Sequence, residues 1–500
     1  MTKTQAIKSL LIANRGEIAV RIIRGARALG SRTVAVYSTA DAGAPHVALA
    51  DEAVEIGPAE ASQSYLNAEV MLAAARQTGA QAVHPGYGFL AENADFAQAV
   101  LDAGLTWVGP TPAAMRAMGD KAGARALMEA AGVPLLPGYQ GADTPAKLRA
   151  AAEEIGYPLL VKASAGGGGV GMRVVSEANE LDEAIKAARR TAEAAFGDGR
   201  LLLERYLPRG HHVEVQVLGD QKGNLVHIFE RECSTQRRHQ KIIEESPSPL
   251  LDAGLRAEMG AAAVAAAKAV DYSNAGTVEF LLDPKTKDFY FLEMNTRLQV
   301  EHPVTELVTG LDLVQLQLQI AAGEPLPFRQ EDLQQTGHSI ECRIYAEDPA
   351  AGFLPQAGEV LKLEWPQGEG IRVDAGIVEG QTVTSHYDPM LAKLIVWAAD
   401  RPAAIARMRA ALAETVLLGL TTNLEFLQAV LASDDFAAGV IDTAYVDREL
   451  AEWAPPPIPL RAVAAAARVD AGPPADESEL DHDPYSPWAR LDGFRIGGRG

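Results

Sequence analysis

The segment Glu293-Met-Asn-Thr-Arg-Leu-Gln-Val-Glu301 sets a carboxylate, an amide, a guanidinium, a second amide and a second carboxylate at alternate positions. Alternate side chains of an extended strand share a face. Glu293, Asn295, Arg297, Gln299 and Glu301 are therefore expected along one side, with Met294, Thr296, Leu298 and Val300 on the other. A surface strand has no need of that mixture, and a buried one could not tolerate it without partners such as metal or phosphate. Just upstream, Glu279 lies in Thr277–Leu282, and the turn 283–288 returns the chain through Phe289 to Glu293. A hairpin of that length puts Glu279 nearly opposite Glu293, with Asn295 two residues further on the same face. Two carboxylates and an amide oxygen are hard ligands suited to Mg²⁺. Without a metal, the facing carboxylates would repel.

A second cluster is the loop Lys162-Ala-Ser-Ala-Gly-Gly-Gly-Gly-Val-Gly171, which follows the apolar strand Pro158–Val161. Glycines let backbone N–H groups approach an anion closely. No Gly-Lys-Ser/Thr closes the loop, so it is not a Walker A motif. Lys162 at the strand end is expected against phosphates, with the loop serving as a lid over a nucleotide. A third cluster, Cys233-Ser-Thr-Gln-Arg-Arg-His-Gln-Lys241, gathers Arg237, Arg238, His239 and Lys241. By itself it reads equally as a solvated charge run or an anion pocket. Cys233 reads as a small packed residue rather than a nucleophile.

The elements that must carry these groups alternate strand and helix. A strand at Ser9–Ala13, a helix at Glu17–Leu29 ended by Gly30, and a strand at Thr33–Tyr37 form a βαβ start, the unit of parallel sheets. Its turn holds only Gly16, where a dinucleotide site needs G-x-G-x-x-G, so no NAD is expected. His84-Pro-Gly-Tyr-Gly-Phe-Leu90 is a loop after a short strand at Ala82-Val83, and Trp107–Pro110 closes a first domain. An Ala-rich helical run covers Thr111–Ala131. Strands are expected at His212–Leu218, Leu225–Glu230, Thr277–Leu282, Phe289–Met294, Ser339–Tyr345 and Leu391–Trp397, with helices at Leu255–Val270 and Pro402–Glu414. The segment 455–483 is rich in Pro, Ala and Asp and reads as a linker. Ser486-Pro-Trp-Ala-Arg-Leu-Asp-Gly-Phe494 regains aromatic content and looks like the start of a further region.

Five hundred residues, 48% of them hydrophobic, suffice for roughly two to four domains. The net charge of −21, from 66 acidic and 45 basic residues, argues against nucleic acid or an anionic membrane as partner. Two distant cysteines, Cys233 and Cys342, imply no disulfide framework and suit a reducing compartment. The only apolar run near the N-terminus, Leu10–Ala13, is too short for a signal peptide, and no segment reaches membrane-spanning length. A soluble, cytoplasmic protein is expected.

In order, Ala-Asn-Arg-Gly-Glu-Ile-Ala (13–19), His-Pro-Gly-Tyr-Gly-Phe-Leu (84–90), the glycine loop, Cys-Ser-x-Gln-Arg-Arg-His-Gln-Lys, Glu-Met-Asn-Thr-Arg-Leu-Gln-Val-Glu-His and Glu341-Cys-Arg343-Ile closely resemble the biotin carboxylases of the ATP-grasp superfamily. The resemblance covers about residues 5–450. It implies an α/β fold of three parts: a doubly wound N-terminal domain (1–119), an ATP-grasp domain (120–320) with a mobile glycine-rich lid at about 135–205, and a C-terminal α+β domain (335–450). The remainder, 451–500, would be a linker and the start of a carrier-connecting region. The implied reaction is ADP-forming. MgATP, or MnATP, phosphorylates bicarbonate to carboxyphosphate, whose CO₂ passes to N1′ of biotin held on another domain.

On the same resemblance, Lys121, Lys162 and His212 match nucleotide-binding positions, and Glu204, Arg205, Tyr206 and Leu207 match the adenine-holding segment. Gly168 and Gly169 match lid glycines, while Glu279, Glu293 and Asn295 match metal ligands. Arg297, Gln299 and Val300 resemble the bicarbonate pocket, Glu301 the general base, and Arg343 the group that stabilises the biotin enolate. Gln236, His239 and Lys241 fit positions near phosphate, where cations stabilise phosphoryl transfer. Ala165 and Val170 stand where many relatives have glycine and arginine. The tail resembles acyl-CoA carboxylase α subunits, and no Ala-Met-Lys-Met biotinylation site is present. Implied partners are a biotin carrier domain, a carboxyltransferase β subunit and a second copy of the chain. Competing expectations are a pyruvate or urea carboxylase portion, an ATP-grasp carboxylate–amine ligase and a non-catalytic nucleotide-binding scaffold.

Overall fold

The computed structural model describes residues 6–141, 144–164, 172–238 and 240–457. Ala165, Gly168, Gly169, Val170, His239 and the tail from 458 onward lie outside the described residues, as does the Lys121 side chain. No helix among the described residues is long and apolar enough to cross a membrane.

The first sheet contains β1 (Ser9–Ile12), β2 (Arg32–Tyr37), β3 (Glu52–Glu55), β4 (Ala82–His84) and β5 (Thr106–Trp107). Its order is β3-β2-β1-β4-β5, parallel throughout. All four β1 residues are buried, as a strand covered on both faces requires. The helix Gly16–Ala28 follows β1, and Gly16 (φ +65°) makes the turn with its left-handed backbone. The single helical run expected at Thr111–Ala131 is two helices, Pro112–Gly119 and Lys121–Ala130. Asp120, extended at φ −87° and ψ 100°, separates them, and Gly119 and Asp120 are both poor helix formers.

A second, four-stranded sheet is antiparallel, with order β6-β9-β7-β8. It comprises β6 (Gly138–Tyr139), β7 (Leu159–Ala163), β8 (Arg173–Val175) and β9 (Leu201–Arg205). The helices Pro145–Ile155 and Leu181–Phe196 pack their apolar side chains, Leu148, Ile155, Leu181 and Ile185, onto Leu159, Val161 and Leu203. Lys162 lies within β7, opposite Leu202, and does not end the strand.

The third sheet carries the site. Its strands are β10 (His211–Gly219), β11 (Leu225–Arg237), β12 (Gln240–Ser246), β13 (Asn274–Leu282), β14 (Phe289–Asn295), β15 (His338–Tyr345), β16 (Ile371–Ala375) and β17 (Met390–Ala398). They lie in the order β14-β13-β10-β11-β12-β15-β17-β16, every neighbour antiparallel. The sheet thus runs unbroken from the central segment into the C-terminal one through the β12–β15 pairing. The helix Ala253–Lys268 covers one face of the central strands, with Met259, Ala263 and Ala267 against Val215, Val217 and Val278.

Two local expectations change. Strand β11 extends seven residues past the expected Glu230, to Arg237. Its charged residues Arg231, Glu232 and Arg237 are buried and paired, so a polarity pattern that reads as loop belongs to a strand. Conversely, the strand carrying Glu293 stops at Asn295, opposite Thr277, and residues 296–301 are irregular. The Thr296 N–H donates to the Glu92 carboxylate at 3.1 Å instead of to a neighbouring strand. Pro303 then opens the helix His302–Thr309.

Candidate active site

One row of residues crosses the middle of the large sheet. The registers Glu279↔Glu293, Glu214↔Glu279 and Glu214↔Arg231 align Glu293, Glu279, Glu214 and Arg231 over four adjacent strands. Lys241, paired with Gln236 one pair from the connecting end of the β11–β12 hairpin, reaches into this row. Its Nζ donates to Glu214 Oε2 at 2.5 Å, Glu279 Oε1 at 2.9 Å and Glu301 Oε1 at 2.7 Å. Arg231, fully buried, donates to Glu214 at 2.5 Å and also to Gln216, Thr277 and Thr305. The other oxygen of Glu301 accepts from Arg343 Nη2 at 2.9 Å, and Arg343 Nε donates to Glu244 at 2.6 Å. Glu301 is therefore fully buried between an ammonium and a guanidinium. Within the Cys233–Lys241 segment, Lys241 is half-buried and ion-paired to glutamates, whereas Arg238 is exposed.

The charges determine which groups are ionised. Burial would raise the Glu301 carboxyl, but Lys241, then Arg343 and Arg231, hold it well below the usual range. Glu279 is lowered for the same reason, by Lys241 and by His212, whose Nε2 lies 3.1 Å away. Burial disfavours charged Lys241, yet Glu214, Glu279 and Glu301 push it well above its ordinary value. Glu244 is pushed up to about 7, by burial first, against the pull of Arg343. Burial also raises the Cys233 thiol well above its normal value, which keeps it protonated and packed rather than nucleophilic.

Arg297 is tied at three corners: its Nε lies 3.1 Å from Glu92, Nη2 donates to Asn295 Oδ1 at 3.0 Å, and Nη1 to Gln299 Oε1 at 3.0 Å. The Asn295 amide donates to Glu279 at 2.8 Å. The oxygens of Glu279, Glu293 and Asn295 form a hard donor set that fits Mg²⁺. Glu293 is more exposed than the other two, and ligand atoms of His212, Glu214 and Glu279 also lie within 4.8 Å of one another. The Val300 carbonyl accepts from Lys393 at 2.8 Å.

A separate group marks the expected nucleotide side. Lys162 and Arg125 both donate to Glu204, the latter at 3.3 Å. The backbone N–H groups of Arg205 and Tyr206 already donate to Pro137 and Pro158.

Sequence reading missed Glu214, Arg231, Glu244, Glu92, Arg125 and Lys393. A signal existed for the first: His212-Val-Glu-Val-Gln216 alternates polar and apolar residues, and every one of its five residues is buried. A buried polar stripe on one strand face requires partners on the next strand.

The glycine-rich sequence 165–171, the Glu279–Glu293–Asn295 set and Glu301 held between Lys241 and Arg343 fit an ATP-dependent ligase. Comparison narrows that class. The model of the biotin carboxylase N-terminal domain matches residues 6–115. That of the carbamoyl-phosphate synthase L chain ATP-binding domain matches 120–329, and that of the biotin carboxylase C-terminal domain 341–448. The α subunit of mitochondrial methylcrotonoyl-CoA carboxylase from Oryza sativa subsp. japonica is 52% identical over 445 residues, covering 89% of this chain and 60% of that protein. Its Dictyostelium discoideum counterpart is 48% identical over 498 residues, 99% of this chain and 71% of that one. Among solved structures, the biotin carboxylase domain dimer of Hydrogenobacter thermophilus 2-oxoglutarate carboxylase, in complex with MgADP, ADP and bicarbonate, superimposes with a TM-score of 0.85 at 46% identity, covering 90% of this chain and all of that one. The chain belongs to the biotin carboxylase family, ADP-forming ligases of the ATP-grasp superfamily. It spans about 60% of the length of the Oryza relative.

Proposed function

We propose that this chain carboxylates biotin carried on another domain, using ATP and bicarbonate, as the first half-reaction of an acyl-CoA carboxylase. The observation that carries the reading is Glu301, ionised and buried between Lys241 and Arg343 beside the Arg297–Gln299 pair. In the first step a bicarbonate oxygen forms a bond to the γ-phosphorus of ATP as the bond to the β-bridging oxygen breaks. ADP leaves, and the bicarbonate proton passes to Glu301. Arg297 offers a bidentate guanidinium to the anion, and Lys241 supplies positive charge where the phosphoryl group carries negative charge. As Lys241 turns to the phosphoryl group, it releases Glu301, whose proton affinity then rises.

Glu279, Glu293 and Asn295 would hold Mg²⁺, which neutralises phosphate charge when bound. Lys162 and His212, with Lys121, Gln236 and His239, serve nucleotide and phosphate. The segment Glu204–Leu207 would face the adenine, and Gly168 and Gly169 would close over the phosphates. In the second step carboxyphosphate splits into CO₂ and phosphate, the released phosphate takes the N1′ proton of biotin, Arg343 stabilises the resulting enolate, and N1′ bonds to CO₂.

We assign residues 1–119, 120–320 and 335–450 as the three functional domains, with 135–205 as the lid. This reading implies a biotin carrier domain, a carboxyltransferase β subunit and a second copy as partners. Its cytoplasmic placement rests on composition and on two free, buried cysteines; the Oryza relative is named mitochondrial. The test is ADP release from MgATP with bicarbonate and free biotin, for wild type and Glu301→Gln. Biotin-stimulated release that collapses in the variant supports the reading. Stimulation by an amine instead of biotin identifies a carboxylate–amine ligase.

A further inference from the structure

Lys393 is a fully buried lysine on β17, outside the motifs quoted above. Nζ donates to the Val300 carbonyl at 2.8 Å and lies 3.4 Å from Glu17 Oε2, on the helix Gly16–Ala28, and 4.0 Å from Asp374 on β16. One residue earlier, the Gln299 carbonyl lies 2.8 Å from Nδ1 of His302, also fully buried. Facing a carbonyl, that ring nitrogen must carry the proton. Burial holds the imidazole neutral, with its titration well below the ordinary histidine range.

Two successive carbonyls are therefore each held by a buried donor. A planar trans peptide points its N–H opposite its C=O. Holding the Gln299 carbonyl fixes the direction of the Val300 N–H, and holding the Val300 carbonyl fixes that of the Glu301 N–H. Among the described residues, neither N–H donates to a protein acceptor. Both belong to the segment that carries Gln299 and Glu301, whose side chains meet Arg297 and Lys241. Successive free N–H groups make a concavity that suits a small oxyanion.

We propose that Lys393 and His302 are positioning residues that aim the Val300 and Glu301 amides at the bicarbonate pocket, an inference that rests on the biotin carboxylase reading. Lys393 comes from the C-terminal segment, so the pocket borrows its geometry from outside the ATP-grasp segment. Glu17 balances the ammonium without touching the pocket.

The test is a steady-state comparison of wild type, Lys393→Met, Glu17→Gln and the double variant, measured as ADP release at varied bicarbonate and at varied MgATP, with free biotin. Lys393→Met is expected to raise the bicarbonate KM roughly tenfold while the MgATP KM stays within about twofold. Glu17→Gln, which leaves Lys393 on the Val300 carbonyl, should hold the bicarbonate KM within about twofold. A lysine that only clamps two segments would make both variants equally harmful and would not separate the two KM values. Lys393→Met leaves Glu17 buried without its cation; should that variant not fold, the double variant removes the charge along with its partner and carries the same expected KM rise. An unchanged bicarbonate KM in a folded Lys393 variant overturns the proposal. Wild type that releases no ADP in response to bicarbonate overturns the underlying reading, and the proposal with it.

Discussion

One of the two cations that hold Glu301, Lys241, is the one that the proposed phosphoryl transfer draws on. Lys241 and Arg343 keep its carboxyl ionised, so in the proposed transfer it waits without a proton and gains basicity when Lys241 engages phosphate. Replacing Glu301 with Gln keeps its size and removes the proton acceptor. kcat for biotin-dependent ADP release should fall by about 10²–10⁴, with the MgATP KM little changed, as initial-rate kinetics will show. A fall in affinity at unchanged kcat would instead make Glu301 a binding group. Glu17 gives a prediction about stability. Burial pushes its carboxyl up to about 7, against the pull of Lys393, and among the described residues neither oxygen has a hydrogen-bond partner. The folded chain therefore holds this proton more tightly than the unfolded one. Stability from this group is present in full below the unfolded value of 4.5 and is lost as pH rises through about 7. Between about pH 5.5 and about pH 8, wild type should lose on the order of 1–3 kcal/mol relative to Glu17→Gln. Urea denaturation of both proteins at the two pH values measures it, and parallel behaviour would contradict the assignment.

At the scale of elements, the Glu279–Glu293 hairpin was legible because turn length and alternation fix register, and the pairing Glu279↔Glu293 is the one expected. Strands β15 and β17 lie within one residue of their expected ends, since apolar alternation marks them. The far end of β11 was not legible. Arg231 and Glu232 are charged, and only their partners on β10 and around Ser248 show why burial is tolerated. Nor could sequence show that the Glu293 strand ends at Asn295, because Glu92, which takes the next N–H, is 204 residues before Thr296. The Glu301 side chain reaches its cations from an irregular segment, even though its alternation resembles a strand. The hairpin gives its own prediction. If Glu293 is a metal ligand, Glu293→Gln should raise the Mg²⁺ needed for half-maximal activity by roughly tenfold or more, and excess Mg²⁺ should restore much of the rate. A magnesium titration at fixed ATP decides it; loss of rate that no magnesium restores would assign Glu293 another role.

At the scale of the whole molecule, one sheet joins the central and C-terminal segments, and that continuity puts Arg343 beside Glu301. The registers Glu244↔Glu341 and Arg343↔Lys393 carry the C-terminal strands to the edge of the pocket, so residues from strands far apart in sequence share one cluster of charges. The motif Glu341-Cys-Arg343 was visible in sequence, but its Glu244 partner and the bond to Glu301 depend on this pairing. Arg343 thus has two possible effects: it holds Glu301 for the first step, or it stabilises the biotin enolate in the second. Arg343→Gln separates them. Stabilising the enolate predicts that carboxybiotin formation falls by about 10² or more, while bicarbonate-dependent ATP cleavage without biotin falls by less than about tenfold. Holding Glu301 predicts that both fall together, because the base would lose one of its two cations. Measuring ADP and carboxybiotin in the same reaction reads the ratio directly. A ratio that moves far from wild type assigns Arg343 to the biotin step, and an unchanged ratio with both rates reduced assigns it to bicarbonate activation.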